Sequence, residues 1–142
     1  MNRGYYMKEI FGVTHPIPKW FAERIYNEDK TVFISKSHRG KVSKGDKFVI
    51  YESRGAGAYT GWADIISVEK VDRREILKKY KKDLMITENE FKKYSFGRKD
   101  MNIIVFENFE KFKKPVVPKR FVAVSGKYID EKEYKMITKN KN

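Results

Sequence analysis

The densest group of side chains able to do recognition chemistry is Tyr51, Glu52, Ser53, Arg54, Tyr59 and Trp62, set around the small-residue loop Gly55-Ala56-Gly57. Such a set suits an unstacked nucleic-acid base. Aromatic faces stack on it for about 1–3 kcal/mol per base, a carboxylate accepts from an exocyclic amino edge, and a guanidinium pairs with phosphate or stacks on a ring. Loop glycines would let a ligand approach the backbone amides closely. Trp62 and one of the tyrosines are the stacking candidates, Glu52 the acceptor and Arg54 the cation. A plainer reading competes at each position: strand aromatics usually fill cores, so Trp62 fits buried packing equally well, and Glu52 could simply pair with Arg54 across the turn. Lys30 joins the candidate set, against the reading that it is a solvated residue at a strand entry.

Cations able to follow a phosphate backbone lie in two segments. One is the loop Lys36-Ser37-His38-Arg39-Gly40-Lys41, with Lys36, Arg39 and Lys41 as the contacts; the other is Lys113 and Lys114 followed by Lys119 and Arg120. The 142 residues carry 32 Lys and Arg against 19 Asp and Glu, a formal charge of +13 at pH 7. That excess favours a polyanionic partner, RNA or a modified nucleic acid first. A solvated basic surface is the alternative for either segment alone, and the lysine-rich run from Arg73 to Lys82 is no more than the outer face of an amphipathic helix.

Cysteine is absent, so disulfides, thiolate metal sites and a cysteine nucleophile are excluded, and two histidines, His15 and His38, are too few for a zinc site of ordinary composition. No metal and no cofactor are expected. No apolar run reaches the length of a membrane span or a signal peptide. The reading is a cytoplasmic protein, a monomer by default, with no membrane partner.

The elements that must position these residues read as an α+β domain. Tyr6–Val13 is expected as a strand ended by a turn at Thr14-His15-Pro16-Ile17-Pro18, because two prolines interrupt a ladder. Pro18 is well placed at the first position of a helix over Lys19–Asn27, with Trp20, Phe21, Ala22 and Ile25 on its apolar face and Trp20 in the core. Strands are expected at Thr31–Ser35, Lys47–Glu52 and Tyr59–Val71, the last bent at Gly61 and joined to its predecessor as a hairpin. Asp72, then Thr87 with Glu90, then Asp130 with Glu133 have the spacing of helix starts. Two further strands are expected at Asn102–Phe109 and Phe121–Val124, and the last helix ends near Ile137. This order predicts one domain over residues 1–138 with a frayed tail at 139–142, built on a strongly curved mixed sheet of about five or six strands flanked by short helices. A doubly wound parallel sheet is disfavoured, since Gly55-Ala56-Gly57 joins two strands and does not lead into a helix.

The run from Arg24 to Ser35, then Lys44-Gly45-Asp46-Lys47-Phe48-Val49-Ile50-Tyr51-Glu52, then Gly61-Trp62-Ala63-Asp64-Ile65, resembles the PUA-like superfamily, and within it the ASCH and EVE domains. His15-Pro16-Ile17-Pro18 followed by Lys30-Thr31-Val32-Phe33 looks closest to a small archaeal family of unknown function placed there. The resemblance implies a pseudo-barrel that binds RNA, or a modified base lifted into a pocket between barrel and helices. It also implies an enzymatic rival, because some ASCH-like proteins are thought to hydrolyse acylated cytidine with a lysine and a hydroxyl residue three positions later. Lys30 matches the lysine, but Phe33 stands where the hydroxyl residue belongs and Ser35 where the motif has a basic residue. A phenyl ring cannot attack a carbonyl. No catalytic residue is therefore assigned; a hydrolase acting on a modified nucleoside would have to use Lys30 and Glu52 as acid and base with a water nucleophile. A third reading is a module whose basic face meets an acidic protein.

Overall fold

Helix starts follow the capping chemistry of the sequence. In the computed structural model, which describes residues 9–37 and 40–142, Asp72 accepts from the Arg74 amide (2.8 Å) at the head of α2 (Arg73–Leu84). Thr87 and Glu90 form a reciprocal capping box at α3 (Glu88–Tyr94), and Asp130 accepts from the Glu133 amide (2.8 Å) to open α4 (Glu131–Asn140). Each arrangement satisfies amides that a helix leaves orphaned at its N-terminus. α1 (Lys19–Glu28) begins at Lys19 as expected, with Pro18 as its N-cap and not its first helical residue, and ends one residue later than expected. α4 runs three residues beyond Ile137, so Lys139 and Asn140, expected in a frayed tail, stand in its last turn.

Six strands, β1 (Ile10–Pro18), β2 (Val32–Ser35), β3 (Lys47–Arg54), β4 (Tyr59–Asp72), β5 (Asp100–Val116) and β6 (Lys127–Asp130), form one curled mixed sheet in the order β2-β5-β4-β3-β1-β6. β1 and β3 are parallel and every other pair is antiparallel. Three strand expectations are corrected. Residues 6–8 of the first expected strand lie outside the described residues, and the strand continues through both prolines to Pro18. Pro16 and Pro18 are two apart, so their missing donors face one edge of the strand, and β6 pairs with β1 only as far as Thr14, which leaves an edge open beyond it. β5 is 17 residues long, through Lys113, Lys114 and Pro115, because β4 pairs along it as far as Tyr59 opposite Val116. Asn108, at φ 55°, absorbs the extra residue where the register shifts between Trp62 and Asp64. Phe121–Val124 is not a strand: it is an irregular strap pinned by buried Val122, with Phe121 and Val124 outside.

The curl divides the apolar residues into three layers. Inside the half-barrel lie Val13, Phe48, Ile50, Ile65, Ile104 and Phe106, closed at one end by Ala22 and Ile25 of α1. Ile76, Leu84 and Phe91 of α2 and α3 cover Val32, Ile34 and Ile103 on the outside of β2 and β5. Ile137 of α4 and Val122 of the strap cover Val49, Tyr59, Trp62 and Phe112 on the outside of β3, β4 and β5. The edge strands of the sheet are β2 and β6; beyond Thr14, where β6 stops pairing, β1 and β2 share no ladder, and the His15 and Phe33 rings meet across this seam at 5.2 Å. Among the described residues, no helix is long and apolar enough to cross a membrane.

Candidate nucleic-acid interface

The sheet divides the hairpin residues that looked like one site. Side chains alternate faces along β3, so Val49 and Tyr51 face α4 while Phe48, Ile50 and Glu52 face the barrel interior and α1. A register shift between Tyr59 and Gly61 brings Tyr59 onto the same face as Trp62. Tyr59 is fully buried and donates to Glu133 of α4 (2.5 Å); burial and this carboxylate push its phenol pKa up. Trp62 is 4% exposed, stacked on Tyr134 (5.4 Å, 18°), edge-on to Phe112, and donates to Glu110 (3.1 Å). No ring face of Trp62 is open to a base.

Glu52 is buried on the opposite side, where it accepts from the Tyr26 hydroxyl (3.0 Å) and the Ala56 amide (3.0 Å). It organises its own loop: a Cβ on Gly55 would fall 2.0 Å from the Glu52 carboxylate. Its partners are thus Tyr26 and the loop, in place of the expected Arg54. Ser53 and Arg54 are exposed at the hairpin tip and Tyr51 is half-buried, edge-on to Tyr59.

Lys30 is 1% exposed, with its ammonium 4.7 Å from the Phe21 ring centroid and donating to the Leu84 carbonyl. Desolvation, with Arg24 nearby adding to it, pulls its pKa down to about 7. Lys30 and Glu52 lie against different elements, α2 for the first and the β3–β4 loop for the second. Phe33, three residues on, lies on the core face of β2 with its ring 5.3 Å from Phe48.

Surface clefts are found elsewhere, and the larger feature lies on the seam. One cleft of about 510 Å³ is apolar and runs from Pro16 and Pro18 of β1 past Trp20 and Phe21 to Phe33, Ile86 and Tyr94. A second, of about 520 Å³, shares Pro16, Phe33, Lys36 and Tyr94 with it and is walled on the far side by Ala123, Val124 and Ser125 of the strap. The volumes suit a small ligand. The rim carries aromatic rings that are exposed and yet held. Trp20, expected in the core, is 58% exposed; it sits edge-on to Phe21 (5.4 Å, 88°) with the Arg24 guanidinium 5.4 Å from its ring. Arg24 is itself fixed by two bonds to Glu90 (3.0 and 3.1 Å) and one to the Met85 carbonyl (2.7 Å), which holds the Glu90 carboxyl below its ordinary range. On the other side of the cleft, the Lys36 ammonium lies 4.8 Å from the ring of partly exposed Tyr94.

The expected phosphate contacts are dispersed. Lys36 lines both seam clefts. Arg39 lies outside the described residues. The Lys41 amide donates to the Tyr128 hydroxyl (3.2 Å). Lys119 and Arg120 line a third cleft of about 470 Å³ beside α4, and Lys113 and Lys114 are exposed on the distal end of β5. The sequence reading missed Trp20 and Tyr94 as rim residues. A signal existed: at about 100° per residue Phe21, Ile25 and Ala22 fall within one arc of about 100°, and Trp20 lies about 100° outside it.

The curled mixed half-barrel with its four helices is the fold of ASCH domains. The chain superposes on the ASCH protein of Zymomonas mobilis with a TM-score of 0.81 at 14% identity, covering 93% of this chain and 96% of that one. A serine-to-alanine variant of that protein gives 0.84 at 12% identity, covering 96% and 100%. At such identities the likeness is one of fold. The chain belongs to the family described as Domain of unknown function (DUF365), whose model matches residues 10–131. It is 40% identical over 105 residues to the uncharacterized protein MJECS03 of Methanocaldococcus jannaschii, covering 66% of this chain and 97% of that protein.

Proposed function

We propose that the domain binds single-stranded RNA by taking one base, ordinary or modified, into the cleft on the barrel seam. The observation that carries this reading is the pairing of an apolar cleft with two exposed, pre-positioned rings, Trp20 and Tyr94, and a lysine at its mouth. A base needs a flat apolar face on each side and a cation near its phosphate. Trp20 supplies a stacking surface whose orientation is set in advance by Phe21 and Arg24, so little rotamer entropy is lost on binding. Lys36 reaches the phosphate side, and the charge of +13 draws the polyanion to the surface.

This reading keeps the partner expected from the sequence and moves the base from the β3–β4 hairpin to the seam. Tyr59 and Trp62 become the packing that fixes α4 to the sheet, and Glu52 the brace of its loop. The hydrolytic alternative is weakened by the same geometry, since Lys30 and Glu52 have separate surroundings and Phe33 offers no nucleophile. The test is fluorescence anisotropy with labelled single-stranded RNA and DNA over a salt series. Salt-dependent binding that Trp20→Ala and Tyr94→Ala weaken, and Arg54→Ala does not, is expected; absence of binding at low salt to every strand would overturn the proposal.

A further inference from the structure

The third cleft lies beside α4 and the strap, away from the seam, and its polar residues fall into two groups. Its carboxylates are committed: Glu133 accepts from Tyr59 and pairs with Lys127 (3.0 Å), and Asp130 caps α4. Lys119, Arg120 and Lys132 are exposed on its walls and form no ion pair among the described residues. Phe121 stands among them 86% exposed. An aromatic ring that far out of the core makes no contribution to folding large enough to explain its position, whereas a ring amid three free cations has the composition of a stacking platform on a phosphate track.

Only a short stretch of the strap separates the groove from the seam cleft. Ala123, which walls the seam cleft, is two residues from Phe121, so their Cα atoms are at most about 7 Å apart. The strap that carries both is anchored by buried Val122 and by Gly126, where a Cβ would fall 2.3 Å from the Thr14 carbonyl oxygen. Lys36 lines the seam cleft, and five residues on in the sequence the Lys41 amide is bonded to Tyr128, which lines the groove. We infer that the groove is a second nucleotide subsite: RNA whose base occupies the seam crosses the strap, stacks a flanking base on Phe121 and lays its phosphates along Lys119, Arg120 and Lys132. This rests on the base-reading function proposed for the seam and extends it from one nucleotide to a short single strand.

The test compares fluorescein-labelled oligouridylates of 3 and 12 nucleotides, with oligothymidylates of the same lengths alongside. Phe121→Ala is expected to weaken binding of the 12-mer by about 5- to 150-fold, the range for losing one stacked base, while the 3-mer and the thermal midpoint stay unchanged. The double variant Lys119→Ala/Arg120→Ala is expected to reduce the slope of log K against log salt by about 1.4, at about 0.7 per single-strand phosphate contact. If both variants bind the 12-mer as the wild type does while Trp20→Ala weakens it, the groove inference fails and the seam reading survives. If the wild type binds neither length at low salt, both fail. A concentration-dependent dimer that Phe121→Ala dissolves without affecting 12-mer binding would assign the ring to a second copy and overturn the inference.

Discussion

His15 of β1 and Phe33 of β2 face each other across the barrel seam with ring centroids 5.2 Å apart, although the strands that carry them share no ladder. β6 stops pairing with β1 at Thr14, so the end of β1 has an open edge, and the His15–Phe33 contact spans the gap beside the clefts. The seam is therefore bridged by side-chain packing, with the two clefts beside it.

The two tryptophans should separate cleanly in function. Trp62→Ala removes a ring enclosed by Tyr134 and Phe112 and is expected to lower stability by about 3–5 kcal/mol. Trp20→Ala is expected to leave the thermal midpoint within a few degrees of wild type and to weaken RNA binding by about 1–3 kcal/mol. Thermal denaturation and anisotropy on the same two variants check the contrast.

Much of the fold was legible because it is set by local chemistry. Asp72, Thr87 with Glu90, and Asp130 announce helix starts through bonds spanning two or three residues, and the β3–β4 hairpin follows from strand-forming runs on either side of a glycine loop. The length of β5 was not legible, since Lys111–Pro115 reads as a basic loop until β4 is laid beside it. The burial of the hairpin aromatics was not legible for a related reason. Which face of β4 is covered depends on α4, more than sixty residues away, and a shift in register at Gly61 reverses the alternation that would have placed Tyr59 and Trp62 on opposite sides.

Lys30 should make stability depend on pH. Its pKa falls from 10.5 to about 7 in the folded protein, so between these values the unfolded chain binds a proton that the folded one releases. Stability contributed by this residue then rises with pH from about 7 toward 10.5, by at most about 1.4 kcal/mol per pH unit. Urea denaturation at pH 6, 8 and 10 should show that rise in the wild type and a flatter profile in Lys30→Met. Equal slopes would mean that the lysine is not desolvated.

Gly126 and Gly45 both have positive φ, at 79° and 93°, but only Gly126 is crowded, by the Thr14 carbonyl and the His15 ring. Gly45→Ala is expected to cost about 1–3 kcal/mol from backbone strain alone. Gly126→Ala should cost more, and it should also shift the strap and weaken RNA binding, whereas Gly45→Ala leaves binding unchanged. Stability and anisotropy measurements on the pair distinguish strain from displacement of the strap.

The central claim is that a base stacks on Trp20, and the chain's two tryptophans allow it to be read directly. In Trp62→Phe, Trp20 is the sole indole emitter; in Trp20→Phe, Trp62 is. Titration with a single-stranded oligouridylate, followed by tryptophan emission and anisotropy together, should give saturable quenching in Trp62→Phe with the same midpoint as binding, and far weaker quenching in Trp20→Phe. Binding seen by anisotropy with no change in Trp20 emission would contradict the claim and place the base elsewhere on the surface.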